Sequence, residues 1–295
     1  MNKFEGKTTG LITALDFKKT SVKISYWIMF FMLIIISLVS MFPPFWVAMS
    51  SLKSMEEFFS IPPTLMPKTI YFEKISETWN SLSFSKYYIN SLMMLVGDLV
   101  FALVFNGICG YVLSMLRPKG SNFLMIVVLW TMMMPATLSM VPLFKTFLDL
   151  PIFHINITNS YLPMWIISAA NCFYILMFKS FFDTIPKSYV EAARIDGCSN
   201  LKIFYKIILP MSKPILMVVS IFVVSGSWDN FFWPYLVLKD TKLYTVAVQL
   251  FFMKGFFPMD VQIVASFFAM IPPAIMFVLL QKHIMNTGNS TGEKG

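Results

Sequence analysis

Residues 189–210 read YVEAARIDGCSNLKIFYKIILP. They place Glu191, Arg194, Asp196, Lys202 and Lys206 close together inside a 295-residue chain that is 57% hydrophobic. The local pattern is that of two short helices joined by a turn. Pro186 ends the segment before them. Ser188 and Glu191 have capping-box spacing, in which Ser188 accepts from the Glu191 amide while the Glu191 side chain reaches back to Ser188. A helix over residues 189–196 is expected to end at Gly197, which adopts a left-handed conformation without steric cost. Ser199 or Asn200 then caps a second helix, with Leu201, Phe204, Tyr205 and Ile208 as its apolar face. Pro210 and Pro214 close it and start the next apolar run. Such an amphipathic elbow either lies on lipid headgroups, with Glu191 as a plain cap, or docks on another protein.

Composition sets the solvent in which the elbow sits. Mean hydropathy is +0.70 and only 13% of residues are charged, about half the share of a soluble domain. Lipid therefore covers much of the surface. The net charge of +8 is spread between apolar runs and forms no compact basic patch with interleaved aromatics, which argues against nucleic acid as a partner. Cys109, Cys172 and Cys198 lack metal-ligand spacing, and His154 and His283 lie far apart. No metal site and no catalytic constellation is expected.

Six runs are long enough to cross a bilayer, which takes about 20 apolar residues. They cover 24–46, 87–116, 123–144, a stretch within 150–178 starting near 160, 214–238 and 261–281. An even number of spans puts both termini on one side. Fifteen of the 23 Lys and Arg residues fall in the tails and in the second–third and fourth–fifth loops, six of them in the loop that carries the elbow. The positive-inside rule thus predicts cytoplasmic termini and a cytoplasmic elbow. The expected organisation is a tail over 1–23, a six-helix all-α membrane domain over 24–283 with its elbow at 186–211, and a tail over 284–295. Residues 47–86 read as a short helix followed by a proline-fixed turn.

The pattern EAA, three residues, Gly, nine residues, then I-x-L-P is filled by Glu191, Ala192, Ala193, Gly197, Ile207, Leu209 and Pro210. It resembles the signature of permease subunits of ABC importers. The segments KIILPMSKP, SGSWDNFFWPYLVL, YINSL (88–92), MMMPATLSMVPLF (132–144) and SSLKS (50–54) resemble the carbohydrate branch, in particular its smaller maltose-type subunit. The resemblance implies a multi-pass protein of the bacterial cytoplasmic membrane whose elbow docks in a groove of a separate ATPase. It implies a second homologous permease, an ATP-binding subunit dimer and an extracytoplasmic solute-binding protein as partners. ATP and Mg would be bound by the ATPase, since this chain has no phosphate-cradling G-x-x-x-x-G-K-[ST] and is expected to bind no cofactor itself. The tail, with Gly292 and Lys294, is expected either to be a plain solvated end or, as the resemblance implies, to insert between the ATPase subunits.

Ionisable and amide groups inside the spans are functional candidates. Asn90, Asp98, Trp228, Asp229 and Asn230 are candidates for a translocation pathway, where aromatic faces and carboxylates suit a hydroxyl-rich solute. Asp98 equally suits a packing hydrogen bond, and Asp229 a helix cap. Pro135, Pro142, Pro272 and Pro273 are expected to kink their helices. Two other classes compete. A self-sufficient secondary transporter more often shows an internal repeat and an ionisable relay, and an intramembrane enzyme needs convergent catalytic residues.

Overall fold

The structure is a computed structural model that describes residues 19–290. The chain falls into two compact units, Met1–Phe72 and Glu73–Gly295.

In the first unit, α1 (Thr20–Ser51) carries a mean hydropathy of 2.3 over its most apolar stretch. Its 32 residues span about 48 Å, and its side chains from Ile24 to Phe42 are almost all exposed. A helix apolar on every side belongs in lipid. Beyond it Ser54 accepts the Glu57 amide and caps α2 (Met55–Phe58). The following loop folds over Glu57, whose carboxylate accepts from Thr64 Oγ1 and the Lys68 amide, each at 2.8 Å. Lys53 Nζ donates to the Thr64 carbonyl, and Ile61–Pro62 is cis. The short helix and proline turn expected for this stretch are both present.

Helix α3 (Phe72–Ser81) starts at the last residue of the first unit, and the second unit is organised around α4, a 33-residue helix over Phe84–Leu116. Two π-helical turns, Ala102–Asn106 and Val112–Leu116, lie within α4. Helices α5 (Ser121–Met133) and α6 (Ala136–Leu148) follow, then α7 (Leu162–Ala169) and α8 (Cys172–Asp183). The elbow consists of α9 (Lys187–Ile195) and α10 (Asn200–Met211). After it come α11 (Lys213–Trp228), α12 (Phe232–Val237), α13 (Val246–Met253) and α14 (Met259–Ser290). Among the described residues the only extended pairing is one bridge between Leu150 and Ile155. Among the described residues four helical stretches are long and apolar enough to cross a membrane, or up to six if each sharply bent pair counts as one span.

Two expected spans differ from the sequence reading. The run at 123–144 is not one rod, because α5 and α6 meet at 106°. Pro135 drives Met134 out of the helical region, to φ −78° and ψ 131°, as a residue before proline requires. The run at 214–238 stops as a helix at Trp228, and α11 meets α10 at 79°. A helix continuing through Pro234 would leave the Asn230 carbonyl without a donor and in collision with the ring.

Packing against α4 is set by missing side chains. A Cβ on Gly97 would fall 2.0 Å from the Trp165 ring, and one on Gly110 would fall 2.6 Å from Phe178 Cβ. The first gap lets Trp165 Nε1 donate to the Met94 carbonyl at 3.1 Å. The second seats α8 directly on α4.

Candidate functional site: the elbow and the polar seam

Backbone geometry accounts for the spacing of the elbow motif. The Gly197 amide donates to Arg194 O at 3.0 Å and the Cys198 amide to Ala193 O at 2.9 Å. With Gly197 at φ +75°, this is the paired-bond helix end in which the residue after glycine bonds the carbonyl five positions back. The last alanine of EAA is therefore the acceptor that the glycine turn requires, which fixes three residues between them. Cys198 then packs on the apolar core beneath. Ser199 caps α10, its hydroxyl accepting the Lys202 amide at 3.4 Å.

Two details of the expected elbow change. The helix starts at Lys187 with Pro186 at its N-cap and no side-chain cap bond, so Ser188 sits inside the first turn and the capping box is not formed. The apolar face of α10 is also shifted. Ile203, Phe204 and Ile208 are buried, whereas Leu201 and Tyr205 are 69% and 58% exposed. Phe204 and Ile208 thus keep their expected side, while Ile203 takes the place of Leu201 in the core shared with Tyr111 of α4 and Phe178 and Phe182 of α8.

The elbow rests on a hydrocarbon core. Phe178, Ile203, Ile208 and Val219 are fully buried, with Phe182 and Val223 nearly so. The Tyr111 ring packs against Phe204, with centroids 5.0 Å apart and planes tilted by 46°, and its hydroxyl donates to the Asn200 carbonyl at 3.3 Å. Ile207 and Leu209 pack at the margin of this core, while Pro210 is exposed. Val190 and Ala193 face inward, and Glu191 and Ala192 face out. The outward surface also holds Tyr189 and Ile195, the latter 87% exposed. The elbow thus has one face welded to the helices and a mixed polar and apolar face left open.

Beside it, Asp183 ties the ends of α4 and α8. Its carboxylate accepts from Ser114 Oγ at 2.7 Å and pairs with Lys179 at 2.6 Å and Arg117 at 3.3 Å. Sequence reasoning passed over this acid because it treated the charges near it only as a topology signal.

The candidate pathway residues fall into two groups. Trp228 and Asp229 line a cavity of about 380 Å³ between α4, α11 and α14, together with Tyr88, Ser225, Pro272 and Pro273. Asn90 and Asp98 make hydrogen bonds that tie α4 to other segments. Asn90 Nδ2 donates to the carbonyls of Lys242 and Tyr244 at 2.8 and 2.9 Å. Asp98, 2% exposed, accepts from Ser168 Oγ at 2.9 Å and Ser227 Oγ at 2.6 Å, linking α4 to α7 and α11. Asn230 is half-buried, its amide bonded to Ser227 O at 3.3 Å. Asn106, fully buried, donates to Ala102 O and Ser168 O and accepts the Asn171 amide where α7 breaks into α8. The serines of this network were invisible in the sequence, since a hydroxyl in an apolar run has no pattern of its own. Gly292 and Lys294 lie outside the described residues.

Comparison with known proteins assigns this architecture. The family described as "Binding-protein-dependent transport system inner membrane component" matches residues 106–286, which include the elbow and the cavity-lining residues of α11 and α14. The arabinooligosaccharides transport system permease protein AraQ of Bacillus subtilis is 31% identical over 90% of this chain and 94% of its own length. The diacetylchitobiose uptake system permease protein NgcG of Streptomyces coelicolor is 32% identical over 71% of this chain and 68% of its own. A crystal structure of a bacterial ABC transporter involved in the import of the acidic polysaccharide alginate contains a chain with the same fold, with a TM-score of 0.80 at 23% identity, covering 90% of this chain and 98% of that one. The chain belongs to the binding-protein-dependent transport system inner membrane components and is a transmembrane permease of the carbohydrate ABC importer type.

Proposed function

We propose that this chain forms part of the path by which a sugar or oligosaccharide enters the cell, powered by a separate ATPase that docks on the elbow at 186–211. The observation that carries the reading is the two-faced elbow. Its inner face is continuous with the core of α4, α8 and α11, and its outer face presents Glu191, Ala192 and the Gly197 turn. Movement of a partner on the outer face would reach the membrane helices as a rigid displacement, because a close-packed core transmits strain rather than absorbing it. Glu191 offers a carboxylate to a basic group, Ala192 permits close approach, and the turn fixes the angle between α9 and α10.

The remaining parts of the reading follow from the family. A second homologous permease completes the path, a pair of ATP-binding subunits holds ATP and Mg, and an extracytoplasmic solute-binding protein delivers the solute. The excess of Lys and Arg in the tails and in the elbow loop supports placing them in the cytoplasm. The names of the relatives, which specify arabinooligosaccharides and diacetylchitobiose, support a sugar of that general class. Family membership also weighs against a self-sufficient secondary transporter. Asp229 and Trp228, at the cavity between α11 and α14, would face the solute, and the tail around Gly292 and Lys294 would contact the ATPase.

Reconstitution tests the reading. Proteoliposomes holding this chain, its partner permease, the ATPase and the binding protein should accumulate labelled oligosaccharide only with ATP. Vesicles holding this chain alone should accumulate none. ATP-independent flux through the isolated chain would overturn it. Removal of residues 288–295 should weaken co-purification of the ATPase while membrane insertion is unchanged, and unaltered co-purification and ATPase stimulation would make the tail a solvated end.

A further inference from the structure

The consecutive prolines Pro272 and Pro273 lie inside α14. Neither supplies an N–H, so the carbonyls four residues earlier, on Phe268 and Ala269, lack the donors a regular helix would provide. In a membrane an unmet carbonyl is costly, and neighbouring helices must satisfy it. Each of these two carbonyls has acquired its own outside donor. Tyr88 Oη, from α4, donates to Phe268 O. Trp228 Nε1, from the end of α11, donates to Ala269 O at 3.1 Å.

The two donors form one aromatic unit, with ring centroids 5.7 Å apart at an interplanar angle of 72°. They are also anchored from behind. Trp228 follows Ser227, whose hydroxyl is held by Asp98 of α4 at 2.6 Å. Tyr88 is two residues from Asn90, which donates to the Lys242 and Tyr244 carbonyls. Tyr88, Trp228, Pro272 and Pro273 all line the 380 Å³ cavity, so the bonds that restore the carbonyls of α14 also shape its wall.

We propose that Tyr88 and Trp228 are positioning residues that latch the double-proline segment of α14 to α4 and α11 and thereby set the opening of the cavity between them. A helix interrupted by two prolines has a ready place to bend, and these bonds decide how far the segment stands from α11. Any motion that separates α14 from α11 at this level must break the Trp228 bond, which joins the two directly. The inference requires only that the chain spans a membrane, not that the cavity takes a particular solute.

Matched rescue tests it. Alanine at 272 returns an N–H aimed at Phe268 O, and alanine at 273 returns one aimed at Ala269 O. In the assembled transporter in lipid, Tyr88→Phe and Trp228→Phe should each shorten the heat-inactivation half-life by about fivefold to tenfold, the effect of one buried carbonyl losing its donor. Pro272→Ala should restore Tyr88→Phe to within about twofold but not Trp228→Phe, and Pro273→Ala the reverse, with the pairing read as a double-mutant cycle. A cysteine at Ser225 should react faster with a water-soluble thiol reagent in each aromatic variant and return to the original rate in its matched double. Rescue that ignores the pairing, no rescue at all, or thiol reactivity that does not follow the latch would overturn the proposal. If Trp228→Phe alone fails to assemble, recovery of assembly with Pro273→Ala supports the latch and continued failure contradicts it.

Discussion

Where α9 and α10 meet α8 and α11, the buried contacts are hydrocarbon: Phe178, Phe182, Ile203, Ile208 and Val219. Where α4 meets α7, α11 and α14, the decisive contacts are polar: Asp98 with Ser168 and Ser227, Tyr88 and Trp228 on proline-freed carbonyls, and Asn106 across the break between α7 and α8. The contrast separates two mechanical tasks. Dense apolar packing has low compressibility and transmits strain, so the elbow end would move as a block under the proposed coupling. Hydrogen bonds are directional and exchangeable between partners, so the seam is where helices can change their relation without losing their fold.

The largest effect that would sharpen this contrast is at the elbow core. Phe178→Ala should destabilise the assembled protein by about 3–5 kcal/mol, read as a fall in its thermal unfolding midpoint in lipid. A loss below about 1 kcal/mol would mean that α8 does not bear the elbow. Asp98→Ala strands the hydroxyls of Ser168 and Ser227 and should cost about 2–3 kcal/mol. Asp98→Asn, which retains an acceptor, should cost less. An alanine variant as stable as the asparagine one would show that the seam is held by packing after all. Gly197→Ala forces a side chain into the left-handed region and should cost about 1–2 kcal/mol, confined to the elbow. Hydrogen exchange of the Cys198 amide, which bonds to Ala193 O, should then accelerate while amides in α4 are unaffected.

The smallest effect is expected in the first unit. Partial burial tends to raise the Glu57 carboxyl, but the Lys68 amide, the Thr64 hydroxyl and the nearby Lys53 and Lys68 ammonium groups outweigh it and hold it below the ordinary carboxylate range. A depressed acid stabilises its loop above its unfolded value, near about 4.3, and that contribution fades as pH falls through the lower folded value. The loop over 52–71 should therefore protect its amides equally at neutral and mildly acidic pH and loosen only in stronger acid. Glu57→Gln should remove this pH dependence.

Much of this was legible in the chain because lipid imposes simple rules. Long apolar runs gave the helices, and EAA with its spaced glycine gave the elbow and the Gly197 turn. The breaks at Pro135 and after Trp228 were harder to read, since proline in a membrane helix sometimes ends it and sometimes is accommodated, as Pro272 and Pro273 are within α14. Tertiary donors decide between those outcomes, and Tyr88 is far from Phe268 in sequence. The same holds for Asp98, whose sequence surroundings fit a pathway or a packing role equally, until Ser168 and Ser227 close on it from two other helices. Regular spacing predicts half of the buried face of α10, Phe204 and Ile208, but Leu201 and Tyr205 are exposed and Ile203 is buried, a choice made by the helices packed beneath it.

The proposed role of the elbow as the joint between ATPase and membrane helices is tested most directly by measuring ATP hydrolysis and labelled-oligosaccharide uptake in the same proteoliposomes, with Glu191→Lys or Gly197→Pro in the complete complex. Both variants should insert and be present at normal abundance. Uptake per ATP hydrolysed should fall by at least about tenfold, equivalent to losing about 1.4 kcal/mol of coupling. A well-expressed Glu191→Lys variant that imports at the original rate and stoichiometry would contradict the account.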